Sequence, residues 1–143
     1  MLREIVYSDY GGLMSLYLHL HETDIPPFSE TRHIWEHILA DENYHIVVAE
    51  EDGRIVSSCT CVIVPNLTRG GRPYARVENV VTHAEYRGRG LATACLDYAK
   101  ELAVKAGCYN IALLTSSKNE NTLKFYENAG YKPNEKTGFV QWL

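Results

Sequence analysis

The stretch VVTHAEYRGRGLATACL, from Val80 to Leu96, sets Arg87, Gly88, Arg89, Gly90 and Ala92 at the entrance to a helical pattern. Helix N-termini leave backbone N–H groups unpaired and carry partial positive charge. A strand that feeds such a helix through a glycine-rich turn forms an anion cradle. Gly88 and Gly90 let the backbone come close to a bulky group, and Ala92 keeps the next turn small. The two arginines add charge, so the chemistry on offer is the holding of a phosphate or pyrophosphate. The pattern, R-x-x-G-x-A, is neither of the commoner phosphate loops: there is no G-x-x-x-x-G-K-[ST], and no G-x-G-x-x-G followed by an acid about 20 residues on. Taken alone, the same residues also suit a plain glycine-rich turn.

Other side chains have chemistry to offer. Glu78 is a carboxylate in an otherwise apolar strand, either a proton acceptor or one half of a salt bridge with Arg76 or Arg72. Strict strand alternation places Arg76, Glu78 and Val80 on one face. Asn79, next to it, is a candidate contact for a substrate. Tyr126 offers a neutral O–H donor at pH 7, or simply packs with Leu123 and Ala129. Asn119 either touches a ligand or caps the helix that follows, with Ser117 and Glu120 as a rival capping box. His33 and His37 are four apart on a helix, but no third ligand accompanies them, so no metal is expected. Cys59, Cys61, Cys95 and Cys108 read as reduced, mostly buried thiols, with Cys59 and Cys61 on one face of a strand.

The elements that must position these groups follow from periodicity. Arg3–Ser8 reads as a strand, and Ser8 or Asp9 caps a helix through GGLMSLYLHLHE. Pro26 and Pro27 break the chain, and a second helix runs from Ser29 to about Ala40. Two β-branched runs flank EEDGR, a hairpin signal. YARVENVVTH is a further strand, RGLATACLDYAKELAVKAG a long helix with an apolar stripe at Leu91, Ala94, Cys95, Tyr98 and Leu102, and CYNIALLTS an apolar strand. NENTLKFYENAG is a short helix, and GYKPNEKTGFVQWL a closing hairpin. The order β-α-α-β-β-β-α-β-α-β-β implies an α/β fold with a mixed sheet and helices on both faces. With 143 residues, no repeat and no linker, the chain reads as a single domain, 1–143.

Composition narrows the partners. Apolar residues make up 45%, enough for one ordinary core, and the net charge of −4 argues against nucleic acid as the main partner. No apolar run approaches the ~20 residues of a membrane span, and the N-terminus lacks a signal-peptide core, so a cytoplasmic protein is expected. The apolar end, TGFVQWL, suits a homodimer contact or an edge strand packed within a monomer.

The run V-x-x-x-Y-R-G-R-G-L-A resembles the acetyl-CoA motif of the GNAT family of N-acetyltransferases. Asn119 and the group Phe125, Tyr126, Glu127, Gly130 and Tyr131 resemble that family's second signature. The likeness is strongest from Arg76 to Tyr131. Within the family, it is nearest to the small-molecule branch that contains glucosamine-6-phosphate N-acetyltransferases, departing at Asn79, where an acid is usual.

The resemblance implies the GNAT fold, acetyl-CoA as co-substrate, and direct transfer of the acetyl group to a primary amine of a small molecule. It implies that Val80, Val81, Thr82, Arg87, Gly88, Arg89, Gly90, Leu91, Ala92, Thr93, Asn119 and Tyr126 contact the cofactor. A backbone amide at Val80 or Val81 is expected at the oxyanion, where the family splays two parallel strands apart. Tyr126 is expected to protonate the departing thiolate and Glu78 to take the amine proton, directly or through water. Glu78, Asn79, Tyr17, His21 and Phe28 are the expected acceptor contacts. A protein N-acetyltransferase and a non-catalytic acetyl-CoA sensor share the scaffold. A sensor needs neither Tyr126 nor Glu78.

Overall fold

The two β-branched runs around Asp52-Gly53 form the hairpin that the turn signal predicts. The structure is a computed structural model that describes Met1 to Leu143. In it, β2 (Tyr44–Glu51) and β3 (Arg54–Val64) are antiparallel, with Glu51 directly opposite Arg54. Asp52 and Gly53 both take positive φ, 50° and 75°, as a two-residue turn matched to strand twist requires. β1 (Leu2–Glu4) pairs with β2, and β4 (Tyr74–Thr82) pairs with β3, all antiparallel. β5 (Ile111–Leu113) adds to β4 in parallel, giving one mixed sheet in the order β1-β2-β3-β4-β5.

Helices cover both faces. On one lies α3 (Leu91–Lys105). Its Cys95, Leu96, Ala99 and Ala103 pack on Val47, Cys59, Cys61, Ala75 and Val77. The stripe is centred one residue beyond the expected one, with Leu91, Tyr98 and Leu102 as half-buried flanks. Small residues at Cys95, Ala99 and Ala103 bring the helix close enough for the Cys59 thiol to donate to Cys95 O at 3.4 Å. α4 (Glu120–Asn128) packs Phe125 and Tyr126 on the same cluster. On the opposite face, α1 (Tyr10–Tyr17) and α2 (Phe28–Ala40) bury Leu13, Leu16 and Trp35 against Ile46, Val48, Ile55 and Val81. No helix is long and apolar enough to cross a membrane.

Five local expectations differ from the structure. The first strand is shorter, because the chain turns into a 3-10 turn at Tyr7–Asp9. Asp9 does not cap α1. Its carboxylate accepts from Val6 N at 2.7 Å and from both Arg3 Nη groups at 2.6 and 3.0 Å. α1 stops at Tyr17 and continues only as hydrogen-bonded turns to Leu20. Of the apolar run at 108–116, only Ile111–Leu113 forms a ladder, because β4 offers a parallel partner no further than Val77. The closing hairpin does not form either. Residues 137–143 find no strand to pair with, and Phe139 and Trp142 stand 87% and 89% exposed.

Arg3 joins Asp9 to Glu50 and so ties the start of the helical layer to the sheet. The Arg3 guanidinium, with the Val6 amide, holds the buried Asp9 carboxyl below the usual carboxylate range against the opposing cost of burial. A depressed folded-state pKa contributes stability above the unfolded value of about 3.9 and loses it as pH falls through the folded value. Urea denaturation is therefore expected to show stability dropping below about pH 4, with a shallower acid decline in Asp9→Asn. Equal acid slopes for the two proteins would refute that assignment.

Candidate active site

The site begins with an irregularity in β4. Ser57 and Ser58 face Thr82 and Val81, but Thr60 faces Glu78, so Asn79 and Val80 together oppose Cys59. This is a β-bulge, with Asn79 at φ 51°. It corrects the alternation expected from sequence. Val77 and Val80 both turn to the α3 face, Val81 turns to the α1–α2 face, and Val80 does not share a face with Glu78. Glu78 instead stands in a row with Thr60 and Ile46, and Arg76 in a row with Val62 and Tyr44.

The salt bridge considered for Glu78 is not made. Arg76 donates to Ala75 O and Asn110 Oδ1 and lies over the Tyr74 ring, while Arg72 donates to Gly107 O and Cys108 O. Glu78 is left exposed and unpaired beside the bulge.

Past Val77 the parallel strands part. β4 runs on through Glu78–Thr82 with its β5-side edge unpaired, and the chain beyond Leu113 leaves the sheet. A wedge opens between them. Val81 O already accepts from Ser57 Oγ and Thr82 O from Arg87 Nε, and the remaining unpaired backbone groups can bind an extended, amide-bearing chain as an added strand does. At the same end of the sheet β4 enters the glycine-rich turn. Gly88 and Gly90 take φ of 75° and 77°, and a side chain at either would stand in open space. Gly90 is the N-cap of α3, and the first helical bond runs from Ala94 N to Gly90 O at 3.0 Å. The amides of Leu91, Ala92 and Thr93 in the first turn thus have no acceptor within the helix.

Arg87 Nε donates to Thr82 O at 3.2 Å, bracing the turn. Arg89 lies over the Tyr86 ring and reaches Glu51 at 3.4 Å, so its charge is partly matched by the protein itself. The residues present fit two adjoining parts of coenzyme A: open amides and an arginine for the pyrophosphate, and an unpaired strand edge for the pantetheine.

α4 supplies the third component. Asn119 caps it, with Oδ1 accepting from Asn121 N at 2.8 Å, and Ser117 Oγ accepts from Asn119 N instead of forming the rival box. The cap orients α4 so that Tyr126 packs on the cluster that includes Cys59 and Cys95, against which Val80 and Leu91 also pack. Burial pushes the Tyr126 phenol above its ordinary pKa, so it keeps its proton at neutral pH.

The acetyltransferase (GNAT) family matches residues 10–131. The chain belongs to this family. The glucosamine 6-phosphate N-acetyltransferase of Trypanosoma brucei brucei is 35% identical over 138 residues, covering 94% of this chain and 90% of that relative. A solved structure from Agrobacterium tumefaciens str. C58 superposes with a TM-score of 0.93 at 38% identity, over 100% of this chain and 99% of the other. The Arabidopsis thaliana glucosamine-6-phosphate N-acetyltransferase shares the fold at a TM-score of 0.88 and 24% identity, over 99% and 97% of the two chains. The GNAT chain is an acetyl-CoA-dependent N-acetyltransferase that acylates a small-molecule amine.

On the other face of this acetyltransferase lies a crevice of about 360 Å³ between α1, the loop after it, α2 and the sheet. Tyr17 and Asn79 both line it, as an acceptor-side role requires. His21 and Phe28 do not: His21 points from an exposed turn at φ 60°, and Phe28 packs on Tyr10, with ring centroids 4.5 Å apart. Glu22 and Asp24 line the crevice in their place.

Burial raises the Tyr17 hydroxyl to about 12, and Thr60 and Asn79 beside it partly offset the shift. Nothing in the sequence marks Thr60, whose buried Oγ1 stands beside the Tyr17 hydroxyl without completing a hydrogen bond of normal geometry. Only the register that sets it opposite Glu78 brings it to the site.

Proposed function

We propose that the GNAT chain transfers acetyl directly to the amine, with Glu78 taking the amine proton and Tyr126 returning one to the departing sulfur. The observation that carries this reading is the wedge beyond Val77. Along it the β5-side edge of β4 has no partner strand; Val80 and Tyr126 pack on the α3 face of the sheet, and Glu78 and Asn79 lie toward the opposite face. The edge of β4 through Val80, Val81 and Thr82 supplies backbone groups to the pantetheine, and an amide at Val80 or Val81 stabilises the negative charge that develops on the acetyl oxygen. The turn from Arg87 to Thr93 holds the pyrophosphate, and Asn119, whose Oδ1 is taken up by the cap, keeps its Nδ2 available to the cofactor. Glu78, exposed and without a cation, is free to accept a proton directly or through one water. No covalent acyl-enzyme is needed, because the thiols of Cys59, Cys61 and Cys95 are buried and held protonated, with Cys61 and Cys95 raised to about 11.

The relatives named for glucosamine 6-phosphate make that amino sugar the reference acceptor. The test is release of CoA thiol from acetyl-CoA across a panel of small amines, alongside calorimetric titration of acetyl-CoA. Turnover of at least one small amine above hydrolysis is expected. Binding without any turnover would refute catalysis, and failure to bind would refute the assignment of the wedge.

Two copies pair through the C-terminal segment in this reading. Phe139, Val140, Trp142 and Leu143 are all exposed and without a strand partner, an apolar load that a second chain would cover. Light scattering is expected to give twice the 16.2 kDa chain mass. A monomer at micromolar concentration would exclude the pairing.

A further inference from the structure

The acceptor crevice has a chemical character of its own. Tyr10, Tyr17, Trp35 and Tyr44 line it with aromatic surface, and no lysine, arginine or histidine is among its lining residues. Its only charged groups are the exposed carboxylates of Glu22 and Asp24. Arg76, the basic residue nearest in register, is drawn off by Ala75 O, Asn110 and the Tyr74 ring. A phosphate group calls for cationic or open-amide donors. Here it would meet two like charges and an apolar wall, which disfavours a dianion and favours a cation.

The inner end of the crevice is polar in a complementary way. Tyr17 Oη and the Asn79 side chain stand beside Thr60, and Thr60 Oγ1 is one of only two buried side-chain polar atoms with no partner. A buried hydroxyl left unsatisfied is costly. Of these, Tyr17 and Asn79 line the crevice and make its floor polar at the bulge, where an amine N–H would be needed for reaction with an acetyl group held along β4. The volume of about 360 Å³ is at the small end for ligand sites, enough for a single ring with a short chain.

We propose that this crevice selects a primary arylalkylamine: the ring between Trp35 and the tyrosines, the amine against Asn79 and Tyr17, and Glu22 and Asp24 drawing the cation in. The inference rests on the N-acetyltransfer reading above and departs from the sugar phosphate for which some relatives are named.

The test uses tyramine and glucosamine 6-phosphate as probes on the full chain. Trp35 is 3% exposed and lines the crevice, and Trp142 is the other of the two tryptophans. In Trp142→Phe, emission therefore reports the crevice without any need for turnover. Tyramine is expected to give a saturable change in Trp35 emission, and a kcat/KM at least about tenfold above that of glucosamine 6-phosphate. The double variant Glu22→Lys, Asp24→Lys, on an exposed loop, is expected to cut that preference several-fold while leaving acetyl-CoA binding unchanged.

Equal or better use of glucosamine 6-phosphate overturns the inference, as does the absence of any Trp35 response to tyramine. Acetyl-CoA titrated on the same sample separates the two readings. Bound acetyl-CoA with no tyramine response sinks only the arylalkylamine assignment, whereas absent acetyl-CoA binding sinks N-acetyl transfer itself.

Discussion

Tyr126→Phe is expected to lower kcat by about 10²-fold, the lower end of what a positioned general acid contributes, while the Kd for acetyl-CoA stays within about twofold. The substitution removes one oxygen and keeps the ring. Phe at this position still packs on Phe125 at 5.0 Å and edge-on to Tyr131 at 6.4 Å, so α4 keeps its seat on the sheet. What goes is a neutral donor that burial keeps protonated well above pH 7. The hydroxyl is needed only once the thiolate departs, so the loss falls on the chemical step and not on binding. Rapid-quench kinetics with saturating acetyl-CoA and amine would measure it. Unchanged kcat would assign Tyr126 to packing alone.

Glu78→Gln is expected to reduce kcat by a similar factor, about 10²-fold, again with acetyl-CoA affinity preserved. Gln keeps the shape and hydrogen-bonding reach of the side chain but accepts no proton. Glu78 makes no ion pair that the change could break, so stability should hold within about 0.5 kcal/mol. Its charge is felt at Tyr44, whose phenol is raised first by burial and then by Glu78, which puts the carboxylate at the rim of the aromatic crevice. Glu78→Asp, one methylene shorter, should retain part of the rate if a bridging water relays the proton. Full activity in Glu78→Gln would move the proton-accepting role elsewhere.

Much of the fold was legible because its signals are local. Asp-Gly between β-branched runs specifies a two-residue hairpin, and it formed at Asp52-Gly53. The helical spacing of α2 and α3 gave their limits to within a residue or two, since Pro27 and Gly90 fix where each starts. Elements that depend on a distant partner were less legible. The segment 108–116 is apolar throughout, yet only three residues pair, because pairing depends on where β4 goes. Residues 137–143 carry strand-like composition with no ladder to join.

The site divides the same way. The glycine-rich turn at Arg87–Thr93 and the cap–helix unit from Asn119 to Tyr126 are written in sequence, because each lies within a few adjacent residues whose backbone conformation glycine and capping residues dictate. The acceptor side is not. A one-residue bulge at Asn79 reverses which side chains share a face, and period-two reading has no means of locating it.

The sequence alone therefore carried the resemblance to the GNAT family, the glycine-rich turn at Arg87–Thr93, and the order of the elements from β1 to α4. Only the tertiary structure decided that Glu78 is unpaired, that β4 and β5 part after Val77, and that Tyr17, Asn79 and the carboxylates of Glu22 and Asp24 meet at one crevice. The reason is that strand register and interhelical gaps are set by contacts among residues far apart in the chain, and no local pattern encodes them.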